Sequence, residues 1–157
     1  MDVLESACVS LLKARAKTLA AAESCTGGLL AKRVTDVPGA SAVFLGGVVS
    51  YTNSIKSSVL NVPQSLLDEH GAVSEPVARA MAEGARALTG ADYALSVTGV
   101  AGPDSDERGN PVGLVYIALA SPEGTVCRKC EFGKRTRGHI RMQAVNTALD
   151  LLRRALS

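Results

Sequence analysis

Apolar residues recur first at helical spacing, then in short runs, and finally at helical spacing again along these 157 residues. Leu4, Cys8, Leu11 and Leu12, with the stem of Arg15, predict one face of a helix over 3–17. The apolar run 18–22 predicts a strand, bounded by the basic helix end and by Glu23-Ser24. A second helix is expected over 27–35, stopping before Pro38-Gly39. FLGGVVSY (44–51) reads as a strand in which Gly46-Gly47 marks a bulge or a close backbone approach. Short helices follow over 55–60 and 63–69. Ser74 predicts a helix cap, with Pro76 tolerated in the first turn and Val77, Met81, Ala85 and Leu88 forming the buried stripe. DYALSVT (92–98) alternates as a strand and runs into the small-residue segment 99–103 and the acidic loop DSDERGNP. Strands over 112–120 and 125–132 pair around Ser121-Pro122-Glu123-Gly124. A last helix is expected from Thr136 or Arg137 to Leu156, with Ile140, Ala144, Ala148, Leu151 and Leu152 inward.

This order predicts an α/β fold, one domain over 1–157, with a mixed sheet and helices on both faces. Ligands in such sheets bind outside the carboxyl ends of strands. Three small-residue loops fall at those places: SCTGG, SYTNSIK and TGVAGP.

Composition narrows the function classes. A net charge of +2, 3% aromatic residues and no Trp argue against a nucleic-acid binder, but leave room for an anionic metabolite. The opening MDVLESACVSLLKARAK disperses charge through its apolar residues, so neither a leader peptide nor a membrane span is expected. That points to the cytoplasm and to reduced thiols at Cys8, Cys25, Cys127 and Cys130. Cys127 and Cys130 have metal-ligand or redox spacing, yet strand alternation puts them on opposite faces.

The first candidate for chemistry is Ser24. Gly27-Gly28 after it permits positive φ and close approach, and free N–H groups there can hold an anion or an oxyanion. The plainer role for Ser24 or Thr26 is to cap the helix that follows. A nucleophile needs a base, and neither His70, at a helix end, nor His139 is tied to a carboxylate by position. Lys56 offers another base: the segment 51–56 turns Tyr51, Asn53 and Lys56 towards one loop region. A desolvated lysine can work as a base on a serine hydroxyl; as a solvent-facing lysine it would do nothing of the kind. Thr98, Gly99 and Gly102 can face a ligand, or can simply make a tight connection. Asp104 and Asp106 read as solvated acids, and no metal-ligand set or cofactor motif is evident. Arg137 and Arg141, one turn apart beside Lys134 and Arg135, could clamp a phosphate or a carboxylate, or form a solvated face.

Taken together, Ser24-Cys25-Thr26-Gly27-Gly28, Tyr51-x-Asn53-x-x-Lys56, Gly71-Ala72-Val73-Ser74-Glu75, Thr98-Gly99-x-Ala101-Gly102-Pro103, Pro111-Val112-Gly113 and Arg137 resemble the C-terminal domain of the CinA (competence/damage-inducible) family, in order and over nearly the whole chain. The resemblance implies a single three-layer α/β/α domain. It also implies hydrolysis of nicotinamide mononucleotide to nicotinate mononucleotide and ammonia, without a cofactor, on a pyridine-nucleotide substrate. It implies Ser24 as nucleophile, Lys56 as general base and Tyr51 as a third catalytic group, assisting the base or orienting it. Substrate contacts are implied at Ser41, Thr98 and Arg137, alongside Thr26, Gly27, Gly28, Asn53, Gly99 and Gly102 in the small-residue loops. Asn110 stands where the family has Lys, and counting from Phe132 instead of Arg141 selects Arg135 in place of Arg137. A homodimer or larger homo-oligomer is the default expectation. The competing reading is a non-catalytic nucleotide-binding or regulatory module tied to competence or DNA damage.

Overall fold

A computed structural model describes residues 3–157 of the chain. Five strands form one sheet: β1 (Leu19–Glu23), β2 (Phe44–Val49), β3 (Tyr93–Gly99), β4 (Leu114–Ser121) and β5 (Gly124–Glu131), in the order β2-β1-β3-β4-β5. β1 runs parallel to both β2 and β3, whereas β4 and β5 continue antiparallel as a hairpin. The helices are α1 (Leu4–Arg15), α2 (Leu29–Thr35), α3 (Asn53–Ser58), α4 (Gln64–His70), α5 (Glu75–Thr89) and α6 (Arg137–Leu156). The result is a three-layer α/β/α domain with a mixed sheet.

Strand alternation divides the core. Leu19 and Ala21 of β1, Leu95 and Val97 of β3, and Val115, Ile117 and Leu119 of β4 point into the layer built by α1, α2 and α6. The opposite face is nearly all alanine: Ala20, Ala22, Ala94, Ala118 and Ala120 lie under α5, with Val77, Met81 and Ala85 above them. Because both faces are covered, all five residues of β1 are buried. Small side chains there let α5 sit close, so Ser96 Oγ donates to the Ala78 carbonyl at 2.6 Å.

The register shifts between Leu19 and Ala20, which face Phe44 and Gly46, so Leu45 is bulged out next to the Gly pair. Cys127 packs on the α5 side and Cys130 joins the other core, as alternation required.

Several expectations are corrected. Leu88 keeps the helical spacing but lies at 56% exposure, because it sits in the last turn of α5, beyond Ala85, the last buried residue of that helix. Arg15 is exposed, whereas Leu151 is half-buried against the core, on the side expected. Ser74 does not cap α5 with its side chain; the hydroxyl turns back to donate to the Gly71 carbonyl at 2.8 Å. α2 begins at Leu29 rather than at Gly27, since the two glycines adopt φ of 61° and 106° and form the turn ahead of the helix. β2 stops at Val49, and α3 starts two residues earlier than the apolar spacing implied.

Candidate active site

The carboxyl ends of β1, β2 and β3 lie side by side, with Glu23 opposite both Val49 and Val97. The chain leaves β1 towards α2 on one face and leaves β2 towards α3, α4 and α5 on the other. The crevice opens at that switch of direction. Ser24 continues β1, its N–H donating to the Val97 carbonyl at 2.9 Å, and Ser50 continues β2, its N–H donating to the Glu23 carbonyl at 2.7 Å.

Lys56 comes from α3, whose first turn is capped by Thr52 Oγ1 accepting from Ile55 N–H at 3.3 Å. Its side chain runs inward and is 1% exposed, among the largest fully buried side chains in the protein. Nζ lies 2.8 Å from Ser24 Oγ, 2.7 Å from the Ser50 carbonyl oxygen and 3.5 Å from that of Tyr51. Among the described residues no carboxylate forms an ion pair with it. Burial therefore acts almost unopposed and pulls its pKa down from 10.5 to about 8, with Cys25 pulling weakly the other way. A charged Nζ donates to all three oxygens. A neutral one keeps two N–H groups for the carbonyls and turns its lone pair to the Ser24 hydroxyl.

The helix cap expected of Ser24 or Thr26 is supplied elsewhere. Glu23, 1% exposed, accepts from Leu30 N–H at 2.8 Å, from Ala31 N–H at 3.0 Å and from Thr26 Oγ1 at 2.6 Å. The Ser24 hydroxyl is thereby left for Lys56. Cys25, next in sequence, is buried, and its thiol is pushed up to about 12, chiefly by desolvation, which makes it a packed thiol at neutral pH.

Ser24, Cys25, Tyr51, Asn53, Lys56, Thr98 and Arg137 line one cleft of about 280 Å³, together with Ala72-Val73 and residues 99–102. Tyr51 is 56% exposed, and its hydroxyl accepts from Arg137 Nη2 at 3.0 Å. Arg137 Nη1 donates to the Gly102 carbonyl, which ties the start of α6 to the loop after β3. One turn on, Arg141 Nε donates to the Cys25 carbonyl at 2.8 Å and so steadies the loop after β1. Thr98 Oγ1 donates to the Ala72 carbonyl at 2.9 Å. Gly99 is required by packing, since a Cβ there would lie 2.6 Å from Val115 Cγ2 and 2.7 Å from the Leu114 oxygen.

Other expected contacts lie apart. Thr26, Gly27 and Gly28 border a separate depression with Lys32 and Arg141. Ser41 is exposed on a 3-10 turn (Ala40–Ala42), in a hollow with Pro38 and Phe44. Arg135 is exposed and does not line the cleft, so the arginine that reaches it is Arg137. His70 ends α4 and His139 is exposed in the first turn of α6; neither lines the cleft. Among the described residues no group of three His, Cys, Asp or Glu is placed to hold a metal ion, and no helix is long and apolar enough to cross a membrane.

Other residues at or around the cleft were not singled out in the sequence as part of it. Glu23 looked like a strand boundary, although an acid just before a helix start is a legible cap signal. Asp104 and Glu107 border the cleft. Arg108 donates to the Leu67, Asp68 and Glu69 carbonyls at the end of α4, which fastens the acidic loop in place. Asp106 organises that loop from within, accepting from the N–H groups of Arg108 and Asn110 and from Asn110 Nδ2.

A three-layer domain with a buried lysine against a serine at the ends of parallel strands is the class that fold and cleft define. The chain belongs to the CinA C-terminal domain family, whose model matches residues 1–156. It is 54% identical over 157 residues to a CinA-like protein of Frankia casuarinae, covering 99% of this chain and 36% of that protein. It is 49% identical over 156 residues to a CinA-like protein of Parasynechococcus marenigrum, covering 99% and 37%. The chain thus spans little more than a third of the length of the curated relatives it matches. Among solved structures, the competence/damage inducible protein CihA from Agrobacterium tumefaciens superposes with a TM-score of 0.92 at 36% identity, over 99% of both chains. A CinA superfamily protein from Klebsiella pneumoniae does so at 0.94 and 34%, over 98% and 95%.

Proposed function

We propose that this domain is an amidohydrolase that converts nicotinamide mononucleotide and water to nicotinate mononucleotide and ammonia through a serine–lysine mechanism. The observation that carries the reading is the 2.8 Å approach of a fully buried, ion-unpaired Lys56 Nζ to Ser24 Oγ. Lysines are rarely buried without a partner carboxylate, and the resulting loss of basicity suits proton abstraction from a hydroxyl.

In the proposed sequence, neutral Lys56 takes the Ser24 proton as Oγ attacks the carboxamide carbon. Backbone N–H groups of the 24–28 and 99–102 loops receive the developing oxyanion; loss of one such donor typically costs about 3 kcal/mol. The protonated Lys56 then passes its proton to the departing ammonia, which closes the cycle on the base. Water, deprotonated by the same amine, resolves the acyl-enzyme and regenerates Ser24. Arg137 meets the anionic end of the substrate, and Tyr51 holds that guanidinium in place.

The test is purified protein with nicotinamide mononucleotide, reading ammonia and the acid product together. Wild type should turn over, while Ser24→Ala and Lys56→Ala should each fall by ~1,000-fold or more with circular dichroism unchanged. Saturable binding without ammonia release would instead support the non-catalytic nucleotide-binding module.

A further inference from the structure

Glu23 takes no part in the steps above, yet among the described residues no other carboxylate is so completely enclosed: it is 1% exposed at the end of β1. Its carboxylate accepts from the N–H groups of Leu30 and Ala31 and from the Thr26 hydroxyl. The same residue's carbonyl accepts from Ser50 N–H at 2.7 Å and from Ser50 Oγ at 3.2 Å. Ser50 in turn presents its own carbonyl to Lys56 Nζ at 2.7 Å. One residue therefore fastens the loop that carries Ser24 through its side chain, and the strand end that seats Lys56 through its backbone.

We infer that Glu23 is the positioning residue that holds the Ser24 hydroxyl free for Lys56. The physical reason is competition. The first N–H groups of a helix need an acceptor, and Ser and Thr just ahead of a helix are strong candidates to supply one. Here the N-cap of α2 is Gly28, which has no side chain to offer, and two hydroxyls, those of Thr26 and Ser24, stand two and four residues ahead of it. Glu23 takes both N–H groups and Thr26 as well, so no helix donor competes for Ser24 Oγ. A glutamine of the same shape would present one acceptor oxygen and one NH2 group to three donors. At least one helix N–H would then lack a partner and would draw the nearest hydroxyl away from its present bond.

This inference rests on the serine–lysine reading for its kinetic consequence but not for its geometry, and the experiment separates the two. Glu23→Gln is compared with wild type and Ser24→Ala in turnover of nicotinamide mononucleotide and by crystal structure. The expected result is a kcat at least ~10-fold lower with KM within ~3-fold, because the cleft wall around Arg137 is untouched. The expected structure has Ser24 Oγ rotated out of hydrogen-bond range of Lys56 Nζ. A Glu23→Gln protein with wild-type kcat, or with the Ser24–Lys56 contact retained, overturns the inference. If Ser24→Ala turns over normally, the reaction reading falls while the crystal structure still decides the positioning of the hydroxyl. Should Glu23→Gln fail to fold, Thr26→Val carries the same test. It removes one of the three bonds that hold the carboxylate and should lower kcat several-fold with KM unchanged; full kcat in that variant counts against Glu23.

Discussion

Lys56 Nζ and Ser24 Oγ lie 2.8 Å apart although 32 residues separate them in the chain, and among the described residues no carboxylate pairs with the amine to keep it charged. With burial holding the Lys56 pKa near 8, about one amine in ten is neutral at pH 7 and half are neutral at pH 8. If the neutral amine is the working base, kcat/KM should rise roughly tenfold per pH unit up to about pH 8 and level off above it. A pH–rate profile from pH 6 to 9.5 checks this, and a flat profile would contradict it. Lys56→Arg should be as inactive as Lys56→Ala, because a guanidinium stays charged throughout that range.

The same burial should destabilise the fold in a pH-dependent way. Unfolded, Lys56 binds its proton up to about pH 10.5, whereas folded it releases it near pH 8. Its contribution to stability therefore improves as pH rises between those values and is worst, and constant, below pH 8. The shift corresponds to a ceiling of about 3 kcal/mol. Lys56→Met should be inactive yet more stable by about 1–2 kcal/mol at pH 7, the remainder lost to the unpartnered Ser50 carbonyl. Urea denaturation at pH 7 and pH 10 should show this gain shrinking at the higher pH.

Arg137 and Arg135 should separate cleanly. Arg137→Ala removes the guanidinium that lines the cleft and binds Tyr51, so KM for the nucleotide should rise by ~10–100-fold with a smaller change in kcat. Arg135→Ala should leave both constants within about twofold. Steady-state kinetics on the two variants decide the point.

Gly84 tests the packing of α5. By helix propensity alone, Gly84→Ala should stabilise by about 1 kcal/mol. The added Cβ, however, would lie 1.9 Å from the Leu60 carbonyl oxygen, a backbone atom that cannot swing aside. Destabilisation by about 2–4 kcal/mol is expected, read as a lowered denaturation midpoint.

The order of elements, the mixed sheet and the two helical faces were legible in the chain, because apolar spacing reports directly on which side of an element meets the core. The cleft's neighbourhood was legible too: SCTGG, SYTNSIK and TGVAGP all sit where strands end, and the sheet brings those ends together. Spacing could not reveal that Lys56 is buried, since a lysine two residues past a predicted loop looks the same whether it faces water or a serine. Nor could it distinguish Ser24 as a cap from Ser24 as a partner of Lys56. Both outcomes are compatible with the local residues, and the choice is made by Glu23 reaching forward to Leu30 and Ala31. Leu88 and Gly84 carry the same lesson for the core, one exposed and one barred from a side chain by a neighbour remote in sequence. Local pattern determined what each segment would become. Solvent exclusion and hydrogen-bond competition, which exist only once the segments are packed, decided which polar groups were left available for chemistry.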